Sequence, residues 1–205
     1  MTLSLPFDLQ HILLHITNLG DSGFLGMLSV CGAVYLYTVG AHRAALFLLF
    51  SLVASAGSIA LLKIGFLGCH HVIPHLNIES PSGHAALSVA IYGCLTAIMM
   101  SHFTGWRRWG ALIVYLLGVS AISLSRLYVG FHTGPEVIVG SALGAVIAGI
   151  CFWGLRKPSP IHFRARHLAL ICLAPLLFLY GVHAPSEMLI RRLVVFLKDV
   201  MPYCP

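Results

Sequence analysis

Residues 132–155 read HTGPEVIVGSALGAVIAGICFWGL: a histidine and a glutamate four residues apart, then nineteen residues, Val137–Leu155, without a charged side chain. The hydrocarbon core of a bilayer takes about 20 apolar residues per helix. This stretch therefore reads as one membrane span with two ionisable groups at its mouth. Backbone groups in lipid must be bonded within the segment, which a lone run of this length achieves as a helix. The same reading outward gives spans at Gly23–Gly40, Ala44–Phe66, Gly83–Met100 and Gly110–Tyr128, and a shorter one at Leu168–Val182 interrupted by Pro175.

Composition agrees. The chain of 205 residues is 59% hydrophobic and only 9% charged, where a soluble domain carries about 25% charged residues. Lipid must be the solvent for much of it. The net charge of +6 is too thinly spread for a nucleic-acid partner. The expectation is an all-α, polytopic membrane protein: a single domain, 1–205, built as a six-transmembrane-helix bundle. Residues 5–16 and 187–199 are amphipathic, and read either as helices lying in the interface or as helices packed on the end of the bundle. No Lys or Arg precedes Arg43, so insertion is expected to be directed by the spans rather than by a cleaved leader. Cys31, Cys94, Cys151 and Cys172 fall inside apolar runs and read as small hydrophobes. Cys69 and Cys204 are expected on the outer side, where a disulfide would persist.

Charge supplies the orientation. With six spans, one side holds Arg43, Arg107, Arg108, Arg156, Lys157, Arg164 and Arg166 and no acidic residue. The other holds Asp8, Asp21, Glu79, Glu136, Glu187 and Asp199, every acid in the chain. Basic loops stay in the cytoplasm, so the 67–82 and 129–136 connections are expected to face outward. The expected location is a cell membrane, the inner one in a bacterium, with the site towards the periplasm.

Ionisable groups at membrane depth are functional candidates by default, and here they converge on that outer side. Lys63 ends the second span, Pro81-Ser82-Gly83-His84 opens the third, Ser125-Arg126 closes the fourth, and His132 and Glu136 lead into the fifth. These types suit phosphoryl transfer. Lys63 and Arg126 supply charge and donors. Ser82-Gly83-His84 puts backbone N–H groups at a helix N-terminus. His132 can attack phosphorus, Glu136 can hold its ring from the next turn, and His84 can protonate the leaving oxygen.

This arrangement resembles the type 2 phosphatidic acid phosphatase superfamily, membrane enzymes of six helices. That family carries Lys-x6-Arg-Pro, then Pro-Ser-Gly-His, then Ser-Arg-x5-His-x3-Asp. The second motif is complete here at 81–84, and the third reads Ser125-Arg126-LYVGF-His132-TGP-Glu136, with Glu in place of Asp. The first begins at Lys63, but six residues on the chain gives His70-His71 instead of Arg-Pro. The resemblance covers about residues 20 to 182. It implies a metal-independent phosphatase, with no cofactor, whose nucleophile is His132 and whose acid is His84. Phosphate binding falls on Lys63, Ser82, Gly83 and Arg126, with Ser125 beside them and His70 in the place of the missing arginine.

Plainer roles exist for several of these residues. Ser125 and Ser82 also suit a bond to a helix carbonyl, Lys63 a snorkelling anchor, and Glu136 a helix cap. His70, His71 and His75 invite a metal, though no cysteine or carboxylate pattern completes a site. The leading reading is hydrolysis of a membrane lipid phosphate or diphosphate: polyprenyl diphosphate, phosphatidylglycerol phosphate, phosphatidate or a lipid A phosphate. Transfer of the same phosphoryl group to another hydroxyl, or lipid-phosphate binding or transport without turnover, remain as alternatives.

Overall fold

In a computed structural model the described residues are 7–68, 78, 80–157, 167, 171 and 186–200. They form seven helices and, among the described residues, no strand: α1 Phe7–Asn18, α2 Ser22–Thr38, α3 His42–Gly68, α4 Gly83–Met100, α5 Trp106–Tyr128, α6 Gly134–Gly154 and α7 Ser186–Val200. Among the described residues, five helical stretches are long and apolar enough to cross a membrane, α1 and α2 counting together as Asp8–Thr38. The expected all-α membrane bundle is therefore what the chain forms. The sixth expected span, 168–182, lies outside the described residues.

Two helices begin earlier than hydropathy suggests. α5 starts at Trp106 and carries Arg107 and Arg108 in its first turn, where long basic side chains reach the interface while the stems stay apolar. α6 starts at Gly134 because Pro135 sits in its first turn and Thr133 and Glu136 close a capping box. Glu136 is thus part of the helix.

The core lies between α2, α3 and α4, where Leu25, Leu36, Leu48, Ile91 and Ile98 are fully buried. Large apolar side chains such as Val53, Leu61, Leu117, Ile138 and Val146 are exposed, as lipid-facing positions must be. Several hydroxyls within the spans bond inside their own helix: Ser29 donates to the Leu25 carbonyl, Ser55 to that of Ser51 and Thr96 to that of Tyr92. Cys94 and Cys151 are buried with free thiols, and Cys31 is half-buried; Cys69, Cys172 and Cys204 lie outside the described residues.

α4 is the central element, and its tightest neighbour is α6. The seam is made of small residues. A Cβ on Gly140 would collide with the Ser82 carbonyl oxygen, and one on Gly144 would sit 2.5 Å from the Ala86 carbonyl oxygen. From the other side, a Cβ on Gly93 would lie 2.5 Å from that of Ala148. The backbones touch, as small residues at helix crossings in membranes permit. α1 packs on α5, and α7 packs on α3.

Candidate active site

The α4–α6 seam fixes the site because both helices begin there. Ser82 is the N-cap of α4; its Oγ accepts from the Ala85 N–H at 3.4 Å. Its own N–H donates to the Glu136 carbonyl at 3.0 Å. The Glu136 side chain completes the join: Oε1 accepts the Ser80 N–H at 2.8 Å, and Oε2 accepts the Thr133 N–H at 3.0 Å. One buried carboxylate thus holds the strand of chain before α4, the start of α6 and, through Oε2, His132.

His132 lies 3.0 Å from that oxygen through Nδ1. A carboxylate only accepts, so Nδ1 carries the proton and Nε2 carries the lone pair. The His132 imidazole is held below its ordinary pKa, chiefly by burial; the Glu136 hydrogen bond opposes this, and the positive charges of Arg126 and Lys63 add to it. The ring is therefore neutral at neutral pH, with Nε2 available to attack an electrophile.

The turn before His132 explains why it stands six residues after Arg126. α5 ends with Gly130 at φ 79, the Gly130 N–H bonded to the Leu127 carbonyl and the Phe131 N–H to the Arg126 carbonyl. This is a Schellman ending, which requires a left-handed residue that glycine supplies without strain. It reverses the chain so that the His132 N–H also meets the Arg126 carbonyl, at 3.3 Å.

The cations come from neighbouring helices. Lys63, 4% exposed near the end of α3, passes its stem over the first turn of α4, with Cε 4.0 Å from where a Gly83 Cβ would be. The Arg126 guanidinium stacks on the Phe131 ring, 4.4 Å from its centre, and donates to the Thr17 hydroxyl at 3.2 Å. Two buried or half-buried cations and a helix N-terminus surround one imidazole, a suitable place for a phosphate dianion.

Lys63, Ser82, Gly83, His84, Arg126, His132 and Glu136 thus meet at one end of the bundle. Ser125 is fully buried, and its hydroxyl donates to the Ile122 carbonyl at 2.7 Å, the helix-internal role; its proton is not directed at a ligand. His70, with His71 and His75, lies outside the described residues. Among the described residues no three His, Cys, Asp or Glu side chains gather as a metal would need.

Two contributors were missed by the sequence reading. Asp21, 5% exposed, caps α2 by accepting the Gly23 N–H at 2.7 Å, and turns its other oxygen to within 4.0 Å of His84 Nε2. Thr17, from α1, is the partner of Arg126. Both sit at the α1–α2 turn, which packs so closely that a Cβ on Gly20 would lie 2.8 Å from Ile122 and 3.4 Å from His84. A cap signal at Asp21 is legible; its meeting with His84, sixty-three residues on, is not.

A family model described as the PAP2 superfamily matches residues 70–159. A relative from Klebsiella pneumoniae, named "Uncharacterized 22.5 kDa protein in cps region", is 29% identical over 136 residues. That match spans 64% of this chain and 65% of the relative's length. No solved structure matches the chain. The matched segment takes in Ser82–His84, Arg126, His132 and Glu136, and over it the chain is similar to the PAP2 superfamily, which includes phosphatases acting on lipid phosphates.

Proposed function

We propose that the protein is an integral membrane phosphatase that hydrolyses a lipid phosphate or diphosphate through a phosphohistidine on His132, at the outer face of a cell membrane. The observation that carries this is the contact of His132 Nδ1 with Glu136 Oε2 at 3.0 Å, which leaves Nε2 for attack. The phosphoryl group would rest between Lys63, Arg126 and the N-terminus of α4. Nε2 forms a bond to phosphorus as the bond to the lipid oxygen breaks. His84, facing Asp21, gives that oxygen a proton, and the lipid alcohol, or a lipid monophosphate, leaves. Water then attacks the phosphohistidine; His84 takes its proton, and inorganic phosphate departs with His132 restored as a neutral imidazole. Glu136 steadies the positive charge that the ring carries while phosphorylated.

The orientation rests on charge. Arg43, Arg107, Arg108, Arg156 and Lys157 all fall at the ends of the spans opposite the site, and basic ends remain in the cytoplasm. The experiment is phosphate release by the purified protein from a panel of lipid phosphates, wild type against His132→Ala. Release by the wild type alone supports the proposal. Equal release by both overturns it. Product that appears only when a second hydroxyl compound is added marks transfer instead of hydrolysis.

A further inference from the structure

A groove with a volume of about 920 Å³ runs between the α1–α2 turn, α4 and α5. Its outer end, at Leu19 and Ile122, adjoins the site: Ile122 is one helical turn before Arg126, and the turn at Gly20 touches both Ile122 and His84. Its inner end is at Trp106 and Arg107. From Ile122 to Trp106 is sixteen residues of α5, about 24 Å at 1.5 Å per residue.

The chemistry of the wall is hydrocarbon. Its polar side chains short of Arg107 spend their donors inside the protein: Tyr92 Oη donates to the Leu19 carbonyl at 2.8 Å, Tyr115 Oη to the Val89 carbonyl at 3.0 Å, and Thr96 Oγ1 to the Tyr92 carbonyl at 2.8 Å. What remains facing the groove is ring faces and aliphatic carbon. A polar ligand would find no partner along it. Val114 on the wall is 71% exposed, so the groove is open sideways, where a lipid can enter from the bilayer. α5 also leaves two gaps in its wall: around Gly118 no atom lies within 4 Å of where a Cβ would be, and around Gly110 only the Trp106 ring, at 4.0 Å, does.

We propose that this groove holds the hydrocarbon tail of the lipid phosphate and measures its length. The proposal takes the placement of the phosphate head from the function proposed above. A groove of about 24 Å crosses most of the roughly 30 Å hydrocarbon core and passes the midplane. It fits a chain longer than one leaflet. Gly118 and Gly110 keep the track open at about 6 Å and 18 Å from its outer end, by the same helical rise.

The test is binding of saturated single-chain alkyl phosphonates of increasing length, whose P–C bond is not hydrolysed, to the full chain in phosphatidylcholine nanodiscs. Gly118→Leu and Gly110→Leu fill the groove at two depths without meeting backbone. Wild type should bind the long chains best. Gly118→Leu should weaken the intermediate and long chains by about tenfold or more, as a steric overlap does, and leave the shortest unchanged. Gly110→Leu should weaken only the longest. An unchanged length preference in both variants, or an equal loss at every length, overturns the groove; the first result would mean that the tail lies in the bilayer. Phosphate release from matched phosphates is read separately, so an inactive wild type would end the phosphatase proposal while the binding pattern still decides the groove.

Discussion

α4 has two sides that differ in kind. Towards α6 it is welded: glycines at 140 and 144 bring backbone onto backbone, and the Ser82 N–H is bonded to the Glu136 carbonyl. Towards α5 it packs less closely, with the Tyr115 hydroxyl bonded across to the Val89 carbonyl, and the long groove runs along that side. The close side carries the groups that need fixed geometry, the histidine with its carboxylate and the helix N-terminus. The open side faces the lipid. One helix thus separates precision from access.

The largest effect should come from forcing the seam. Gly140→Val puts a branched side chain against the Ser82 carbonyl. The expected cost is at least the 1–3 kcal/mol usual for overpacking, because a backbone atom cannot turn aside. Thermal unfolding in detergent should show a marked drop and activity should be lost, whereas Gly118→Leu on the open side should melt near wild type. Equal melting of both variants would abolish the distinction.

Next in size is His84, the proposed proton donor. His84→Ala should slow turnover by about 10²–10⁴-fold, the range for a general acid. Asp21→Asn should act in the same direction but more weakly, since the 4.0 Å separation makes it a positioning residue rather than a partner in full contact. In the double variant the two losses should not add, because Asp21 acts through His84. Full additivity in a double-mutant cycle would show that Asp21 works only as the cap of α2.

The pH dependence sharpens the close side further. On the proposed mechanism His132 attacks when neutral, and its pKa is held below the usual imidazole value, with burial the main cause and Arg126 and Lys63 contributing. Activity should therefore be lost as pH falls through a pKa below about 6.5. Lys63→Met removes one of the charges that lower it, so the acid limb of kcat/KM should move to higher pH. The same substrate in both proteins cancels the titration of its own phosphate. An acid limb that stays in place would mean that Lys63 does not act on His132.

The smallest effect is expected at the turn joining the two sides. Gly130→Ala must adopt φ 79, a cost of about 1–2 kcal/mol for a residue with a Cβ. Stability should fall by that amount, with kcat reduced more than KM, as His132 shifts while the cations stay. A variant with unchanged kcat would show that the Schellman turn does not set the position of His132.

Local patterns account for what the sequence discloses. His132 and Glu136 meet because the Glu136 side chain reaches back over the start of α6, to the N-cap amide of Thr133 and to His132 just before it, and Ser82-Gly83-His84 is a helix opening written in consecutive residues. Lys63 is brought to them by the alternation of spans, which loop charge already orders. The Glu-for-Asp departure also has a local cause: Thr133-Gly-Pro-Glu136 spells a capping box, in which the longer side chain reaches back to the N-cap amide. What was not legible is non-local. Asp21 and Thr17 join the site only because the α1–α2 turn packs on Ile122. The groove is a gap between helices, and no residue pattern within one helix records it.

The central claim is that His132 takes the phosphoryl group on Nε2. The most direct test is rapid quenching of the protein during incubation with a lipid phosphate, under alkaline conditions that preserve phosphohistidine, followed by mass spectrometry of its peptides. A phosphoryl group is expected on His132 in the wild type, more of it in His84→Ala when the substrate's leaving group needs no proton, since water is then no longer activated, and none in His132→Ala. Turnover with His132 unmodified in both the wild type and His84→Ala would contradict it.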